Sequence, residues 1–157
     1  MTTGDSTNPG KTVGKVSELT VIFPIKEGMS DQFRQMLNEG QPHFEQLFER
    51  VRTVHNARWV FLPGGTHALL ATVFDGAWDQ YIDDFATHAG PLLDALGALV
   101  EGWPGAGSGQ ALQDYIRSIQ VPAEIFFCAY PDASVRDVQR GLQVNSAFQQ
   151  LLDASQA

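Results

Sequence analysis

Residues 53–74 read TVHNARWVFLPGGTHALLATVF, and the fold class follows from this stretch. Two segments rich in β-branched and aromatic residues, 53–62 and 67–74, flank the turn signal Pro63-Gly64-Gly65. The connection is too short for a parallel crossover, so the stretch predicts an antiparallel β-hairpin.

Further elements are predicted on both sides of this hairpin. Residues 18–25 form an extended segment, and apolar residues at helical spacing follow from Ser30 to Val51, with a kink expected at Gly40 and Pro42. After the hairpin we expect a helix at about 77–100 that Pro91 kinks or divides, a glycine-rich loop at 101–109, a short helix at 110–119, a fourth strand at 123–130 and a final helix capped by Ser134.

The order β-α-β-β-α-(α)-β-α predicts an α+β fold: a ferredoxin-like, four-stranded antiparallel sheet with helices on one face. The strands carry apolar residues at both parities, which is typical of a sheet buried on both sides. The second cover is either the sheet of a partner chain or the long C-terminal segment. We expect residues 1–16 to be a flexible tail and residues 17–157 to be one domain with a C-terminal helical extension.

Composition and charge exclude several classes of protein. The chain has 157 residues, 43% hydrophobic and 18% charged, which suits one globular domain. Its net charge of -8 repels phosphate backbones, so nucleic acid is not an expected partner. A single cysteine excludes an internal disulfide framework. No apolar run is long enough for a membrane span and no signal-peptide core is present, so we expect a cytoplasmic protein without membrane contact.

Three stretches carry a family resemblance: residues 54–60 (VHNARWV), 74–81 (FDGAWDQY) and 87–90 (THAG). In layout and scattered residues, about 18–130 resembles the dimeric α/β barrel superfamily, which includes antibiotic-biosynthesis monooxygenases. The helix after Gly109 and the C-terminal helix of about twenty residues depart from the compact family pattern. The resemblance implies a homodimeric barrel with a pocket for a small hydrophobic or aromatic molecule.

The same resemblance implies a monooxygenase-like oxidoreductase. Some haem-binding relatives use a helix histidine as the axial iron ligand, and His88 matches that place, so haem is a possible cofactor with His88 as its metal ligand. A lone histidine beside a buried stripe is otherwise a satisfied core residue. Other members of the superfamily are cyclases or have no known activity, so a cyclase or isomerase and a non-catalytic ligand-binding or accessory protein are the alternatives.

Polar residues near the predicted pocket are candidates for catalysis. His55 shares its strand parity with Trp59 and is a candidate acid or base, with a structural hydrogen bond as the alternative. Arg58 projects from the opposite face, and Tyr130 ends the predicted fourth strand, where it either places a phenol at the barrel rim or anchors a turn. The expected walls and apolar cover of the pocket are Trp59, Phe61, Phe74, Trp78, Phe85 and Trp103.

Overall fold

The computed structural model describes residues 9–156. Its strands are β1 (Thr12–Val13), β2 (Val16–Pro24), β3 (Val54–Phe61) and β4 (His67–Asp75). Its α-helices are α1 (Ser30–Val51), α2 (Trp78–Gly97), α3 (Gln110–Ile119) and α4 (Val135–Ser155). One turn of 3-10 helix covers Ala106–Ser108 in the loop between α2 and α3.

The four strands form one antiparallel sheet in the order β1-β2-β4-β3. The predicted hairpin is confirmed as β3 and β4, whose turn places Gly64 and Gly65 at φ values of 91° and 70° that glycine adopts without strain. The α+β class is therefore confirmed, with a four-stranded antiparallel sheet and four α-helices in the described chain.

One face of the sheet packs against helices and forms the core. Leu19, Val21 and Phe23 of β2 point to this face, where Trp78 and Ile82 of α2 join them in one buried cluster. The opposite face, which we call the open face, carries Ile22, Val60, Leu69 and Val73. None of these four side chains belongs to the core cluster, so the helices shield only one side of the sheet.

The predicted fourth strand at 123–130 is wrong. In its place β1 lies at the edge of β2, and only Gln120 forms a bridge to Val21, with the Val121 amide donating to the Thr20 carbonyl over 2.8 Å. Residues 11–13 already pair with Val16–Glu18 on this edge. Pro122 has no N–H to donate, so pairing stops there and the chain leaves the sheet.

Within the range 1–16, for which we expect a flexible tail, the structure forms β1 and the first residue of β2. Residues 1–8 lie outside the described residues. The buried carboxylate of Glu18 fixes the strand beside β2. Its Oε1 accepts the amide of Lys11 at 2.9 Å and that of Ala123 at 3.1 Å, so it joins the beginning of the described chain to the segment after α3.

The two helices expected to kink or divide at proline each remain one continuous element. Pro42 lies inside α1 and Pro91 inside α2, and both prolines are exposed. The residues four positions earlier, Asn38 and Thr87, are exposed as well, so water can replace the hydrogen bond that each proline removes.

The last helix begins as predicted. Ser134 and Asp137 form a reciprocal capping box, in which the Asp137 amide donates to Ser134 Oγ and the Ser134 amide donates to the Asp137 carboxylate. Among residues 9–156, no helix has the length and apolar character required to cross a bilayer.

Candidate functional site

A cavity of about 80 Å³ lies between the helix-facing side of the sheet and the helices. Strand residues from β2, β3 and β4 form its floor, and α1, α2 and α3 close it from above. Its lining comprises Leu19, Val21, Phe23, Phe33, Phe44, Phe48, Trp59, Leu70, Thr72, Tyr81, Ile82, Phe85, Leu93, Leu96, Gly97, Val100, Trp103, Leu112 and Ile116. A site with these walls excludes charge and favours apolar ligands.

Local sequence explains why the lining is apolar. Alternation along β2 sends Leu19, Val21 and Phe23 to the same side, and their β4 partners include Thr72 and Leu70. The helices contribute residues at helical spacing, as in the stripe of α2 through Ile82, Phe85, Leu93 and Leu96. The strand and helix periodicities therefore place apolar side chains on all sides of this cavity.

The cavity contains one buried polar pair. The hydroxyl of Tyr81 on α2 donates to Oγ1 of Thr72 on β4 over 3.0 Å. Burial is the main cause that raises the pKa of Tyr81 well above its ordinary value, and the hydrogen bond to Thr72 opposes it less strongly. The Tyr81 ring stacks on Phe74 with a centroid separation of 3.9 Å, which fixes the position of the hydroxyl. Tyr81 therefore remains a neutral hydrogen-bond donor at neutral pH.

Trp103 closes one side of the cavity from the loop after α2. Its Nε1 donates to Oδ1 of Asp94 over 2.9 Å, and the amide of Ala106 donates to the same oxygen over 2.7 Å. The Trp103 hydrogen bond and then the Ala106 amide lower the pKa of Asp94. A Cβ on Gly97 would overlap the indole, so the missing side chain allows Trp103 to lie against α2.

Tyr115 of α3 supports Trp103 from the other side. The two rings meet edge to face with centroids 5.8 Å apart, and the Tyr115 hydroxyl donates to the Glu101 carbonyl over 2.8 Å. Burial, followed by the charge of Glu101, raises the pKa of Tyr115 to about 12. The apolar cover therefore rests on hydrogen bonds at both ends of the loop.

Of the six predicted wall residues, three line the cavity: Trp59, Phe85 and Trp103. The other three serve the surrounding core. Phe61 packs edge to face on Phe33, Phe74 stacks on Tyr81, and Trp78 is fully buried with its Nε1 donating to Gln120 over 2.8 Å.

The three predicted catalytic residues do not meet in the cavity. His55 lies at an irregularity of β3 between Val54 and Asn56, which breaks the parity that placed it with Trp59. Its Nε2 lies 2.7 Å from Oδ1 of Asp75, and the amide of Val135 donates to Oδ2 of the same carboxylate over 2.7 Å. The Asp75 carboxylate therefore links the His55 side chain to Val135, the first residue of α4.

Arg58 and Tyr130 lie elsewhere on the surface. Arg58 is exposed on β3, where it and His55 border a groove of about 560 Å³ between β3 and α1. Tyr130 is 75% exposed in the segment before α4. A shared catalytic role for His55, Arg58 and Tyr130 stays a prediction, and the cavity holds none of the three.

The residues present do not fit a haem in this cavity. His88 is exposed on α2 and is absent from the cavity lining. Among residues 9–156, the lining holds no histidine, cysteine or methionine to ligate iron and no arginine or lysine to pair with the propionates, and its tyrosine, Tyr81, is neutral and donates its proton to Thr72. Among residues 9–156, no group of three or more histidine, cysteine, aspartate or glutamate residues is placed to hold a metal ion.

Sequence reasoning missed Thr72 and Tyr81 as site residues. The signal was present, because Thr72 is the polar member of a helix-facing row that otherwise carries Ala68, Leu70 and Phe74. A buried hydroxyl in such a row requires a partner, and Tyr81 supplies one from the apolar stripe of α2.

No model of a protein family, no curated protein and no solved structure matches this chain.

Proposed function

We propose that this protein binds a small, mostly apolar molecule, of the size and character of a substituted aromatic ring, between its sheet and its helices. The observation that carries the proposal is the aromatic and aliphatic lining, in which Tyr81 and Thr72 form a hydrogen-bonded pair. Such a site recognises a ligand by shape and one polar contact. The non-catalytic binding alternative is therefore the leading function.

The size of the cavity adds a requirement. About 80 Å³ is less than the cavity of about 150 Å³ that admits benzene in an engineered core. A ring-sized ligand therefore needs a side chain to move. Trp103 is the best candidate, because it lies on a glycine-rich loop and is held by one hydrogen bond to the exposed carboxylate of Asp94.

We also propose that the fold is ferredoxin-like and that the chain is a member of the dimeric α/β barrel superfamily, of the antibiotic-biosynthesis-monooxygenase-like type. The order β2-β4-β3, with α1 after β2 and α2 after β4, supports this assignment. It corresponds to three strands and both helices of the split βαβ arrangement.

A monooxygenase-like oxidoreductase is the second candidate function, and the Tyr81 hydroxyl favours it. The Tyr81 oxygen, whose own proton goes to Thr72, could accept the hydroxyl of an electron-rich phenol while the ring of that phenol supplies electrons to dioxygen. Within the part of the chain that the structure describes, no carboxylate or imidazole lines the cavity to remove a proton from such a substrate, so we favour binding over catalysis. If the wild type accelerates oxygen uptake with a hydroquinone and Tyr81→Phe does not, catalysis becomes the favoured function.

Binding is tested by titrating the protein with toluene and with p-cresol while recording backbone amide NMR spectra. We expect saturable shifts at Thr72, Gly97 and Ile116, which border the cavity. Leu70→Phe fills the cavity and should weaken binding by about tenfold or more. The matched control is Leu69→Phe, a neighbouring half-buried leucine on the open face, which should change affinity by less than about twofold.

The polar pair is tested with the same probes. In Tyr81→Phe the ring stays and the hydroxyl that can accept the p-cresol proton is lost, so any preference for p-cresol over toluene should disappear while toluene affinity is retained. The proposed function is rejected if neither probe shifts the cavity residues at millimolar concentration, or if Leu70→Phe and Leu69→Phe behave alike.

A further inference from the structure

A groove of about 560 Å³ follows the free edge of the sheet, between α1 and β3. We call it the edge groove. Helix α1 lines it along a single helix face from Arg34 to Phe48, and β3 lines it with the consecutive residues 54–59 and with Phe61. Neighbouring residues of a strand project to opposite faces, so the edge of β3 borders the groove rather than one of its faces. The cavity, in contrast, lies over the helix-facing side of the sheet.

The edge groove is long and has two unlike ends. At one end the Arg34 guanidinium lies over the ring of Phe61, 3.8 Å from its centroid. At the other end are Phe48 and Val54, which flank the short connection at 52–53 between α1 and β3. The helix from Arg34 to Phe48 and the strand from Val54 to Phe61 both extend about 20 Å. A ligand that fills this groove is therefore elongated and meets different chemistry at its two ends.

Two arginines of the edge groove have no ionic partner in the described chain. Arg34 and Arg58 form no ion pair with any carboxylate of residues 9–156, and neither guanidinium donates a hydrogen bond within that range. His55 also borders the groove, but its Nε2 already lies 2.7 Å from the Asp75 carboxylate. In a chain with a net charge of -8, two unpaired guanidiniums in one groove favour an anionic ligand.

Phe61 holds the Arg34 guanidinium in one plane. The Phe61 ring is itself packed edge to face on Phe33, a buried residue of the core, with centroids 5.8 Å apart. A guanidinium stacked on an aromatic ring keeps the N–H groups at its edge available for two parallel hydrogen bonds to a carboxylate. Because the stack is already formed, less side-chain entropy is lost when that carboxylate binds.

Beyond the arginines, the floor of the edge groove is aromatic. Trp59, Phe44 and Phe48 are each partly exposed there, and the last two stack with ring centroids 6.3 Å apart. The same three side chains belong to the cavity lining, so the groove and the cavity share a wall. A carboxylate between Arg34 and Arg58 lies about 10 Å along the groove from Phe44. A phenyl ring joined to a carboxylate by a short alkyl chain spans that distance.

The charge of the edge groove favours a carboxylate over a phosphate. Glu45 adds one carboxylate to the lining, and its Oε1 accepts a hydrogen bond from Nε2 of Gln41 over 3.0 Å. Among the described lining residues, two guanidiniums and this carboxylate leave one net positive charge, which a single monoanion neutralises. A phosphate dianion would leave excess negative charge beside Glu45.

We propose that the edge groove binds an arylalkanoic acid, whose carboxylate contacts Arg34 and Arg58 and whose ring lies against Trp59 and Phe44. A ring without a charge leaves both guanidiniums unused, and a small anion without a ring leaves the aromatic floor exposed to water. This inference does not rest on what the cavity binds, because the two spaces differ in charge and in size.

The proposal is tested by titrating the full chain with 4-phenylbutyrate at constant ionic strength while recording backbone amide NMR spectra. We expect saturable shifts at Asn38, Asn56 and Arg58, which border the edge groove and not the cavity. Gly97 and Ile116, which border the cavity and not the groove, should not shift. The neutral 4-phenylbutyramide keeps the ring and the length of the acid and should bind about tenfold or more weakly, because it cannot pair with the guanidiniums.

Two substitutions and a matched control test the arginines. Arg34→Gln and Arg58→Gln should each weaken binding of 4-phenylbutyrate by about tenfold or more, and should change the affinity for the amide by less than about twofold. Arg50→Gln removes the same charge from an exposed position of α1 outside the groove and should change the affinity for the acid by less than about twofold. All three arginines are exposed, so each variant should keep the fold, which near-ultraviolet circular dichroism checks.

Three outcomes would overturn the proposal. They are unshifted Asn38 and Asn56 at millimolar 4-phenylbutyrate, an amide that binds as tightly as the acid, and an Arg50→Gln variant that loses as much affinity as Arg34→Gln. Shifts confined to Gly97 and Ile116 would place the ring in the cavity, which overturns the edge groove as the site of the acid and leaves the proposed function intact. Groove shifts with the acid, together with no response of the cavity to toluene, would support this inference and reject the proposed function.

Discussion

Gly97 determines where the indole of Trp103 lies. It is the last residue of α2, and a Cβ there would meet the indole ring at a separation that real structures avoid. A Cβ added at Gly90, earlier in α2, would lie 3.9 Å from the Cβ of Ala106, which is an ordinary contact. The two glycines thus form a matched pair on one helix.

Gly97→Ala should displace Trp103 from the cavity and break its hydrogen bond to Asp94. Overpacking of this kind costs about 1–3 kcal/mol of unfolding free energy, and the indole N–H of Trp103 should exchange faster with solvent. Gly90→Ala should be neutral or stabilising by up to about 1 kcal/mol, since alanine favours the helix. Chemical denaturation and indole NMR signals measure both effects, and a Trp103 signal unchanged by Gly97→Ala would contradict the assigned packing.

Single residues were predicted unevenly from the sequence. Trp103 was identified as a pocket cover from its place in a glycine-rich loop, and it does line the cavity. The role of Gly97 could not be predicted, because periodicity does not tell which backbone a distant side chain will approach. His55 was assigned to the face of Trp59 by strict alternation, and one irregularity in β3 removed that relation.

The beginning of α4 depends on one ionised side chain. The Ser134 hydroxyl, the Ser134 amide and then Lys15 lower the pKa of Asp137 to about 2. A pKa lowered by folding means that the carboxylate stabilises the folded form above its unfolded pKa of about 4, and that this contribution is lost as pH falls toward 2.

We therefore expect the first turn of α4 to fray between about pH 4 and pH 2. Backbone carbon chemical shifts of Val135–Val138 measure this, at an ionic strength held constant. Asp137→Asn should fray the same turn already at pH 7 and flatten the acid dependence of these shifts. Asp153→Asn, at the far end of α4, is the control and should leave the first turn unchanged.

The elements with a strong local signal were predicted best. The hairpin β3–β4, the bounds of α3 and the capping box of α4 follow from turn residues, helical spacing and hydroxyl caps. The strand at 123–130 failed because pairing depends on a free edge, and residues 11–13 occupy part of that edge. Pro42 and Pro91 did not break their helices, because both lie on the exposed surface of the helix. The presence of a proline in the sequence does not tell which face of the helix it occupies.

At the scale of the whole molecule, the free energy of unfolding should fall in alkaline solution because two tyrosines resist ionisation in the folded state. Burial raises the pKa values of Tyr81 and Tyr115, the latter to about 12. A pKa raised by folding stabilises the folded form below the unfolded value of about 10, and this contribution is lost as pH rises through the folded value.

The melting temperature should therefore fall as pH rises above about 10. Tyr115→Phe cannot ionise at this position, so its melting temperature should depend less on pH in that range. Differential scanning calorimetry between pH 8 and 11.5, at constant ionic strength, checks the slopes. Equal slopes for the wild type and Tyr115→Phe would contradict this prediction. Composition predicted one globular domain and the order of elements predicted an α+β fold, but the open face and the exposed surface of α4 became visible only in the structure.

Glu18 has a consequence for how the chain is made. Its buried carboxylate accepts amides from Lys11 and Ala123, which are separated by most of the chain. While the ribosome is still synthesising the first hundred residues, this carboxylate has only the nearer of its two backbone donors. The part of the β2 edge beyond β1 therefore closes late in synthesis, after β3, β4 and the first three helices have left the ribosome.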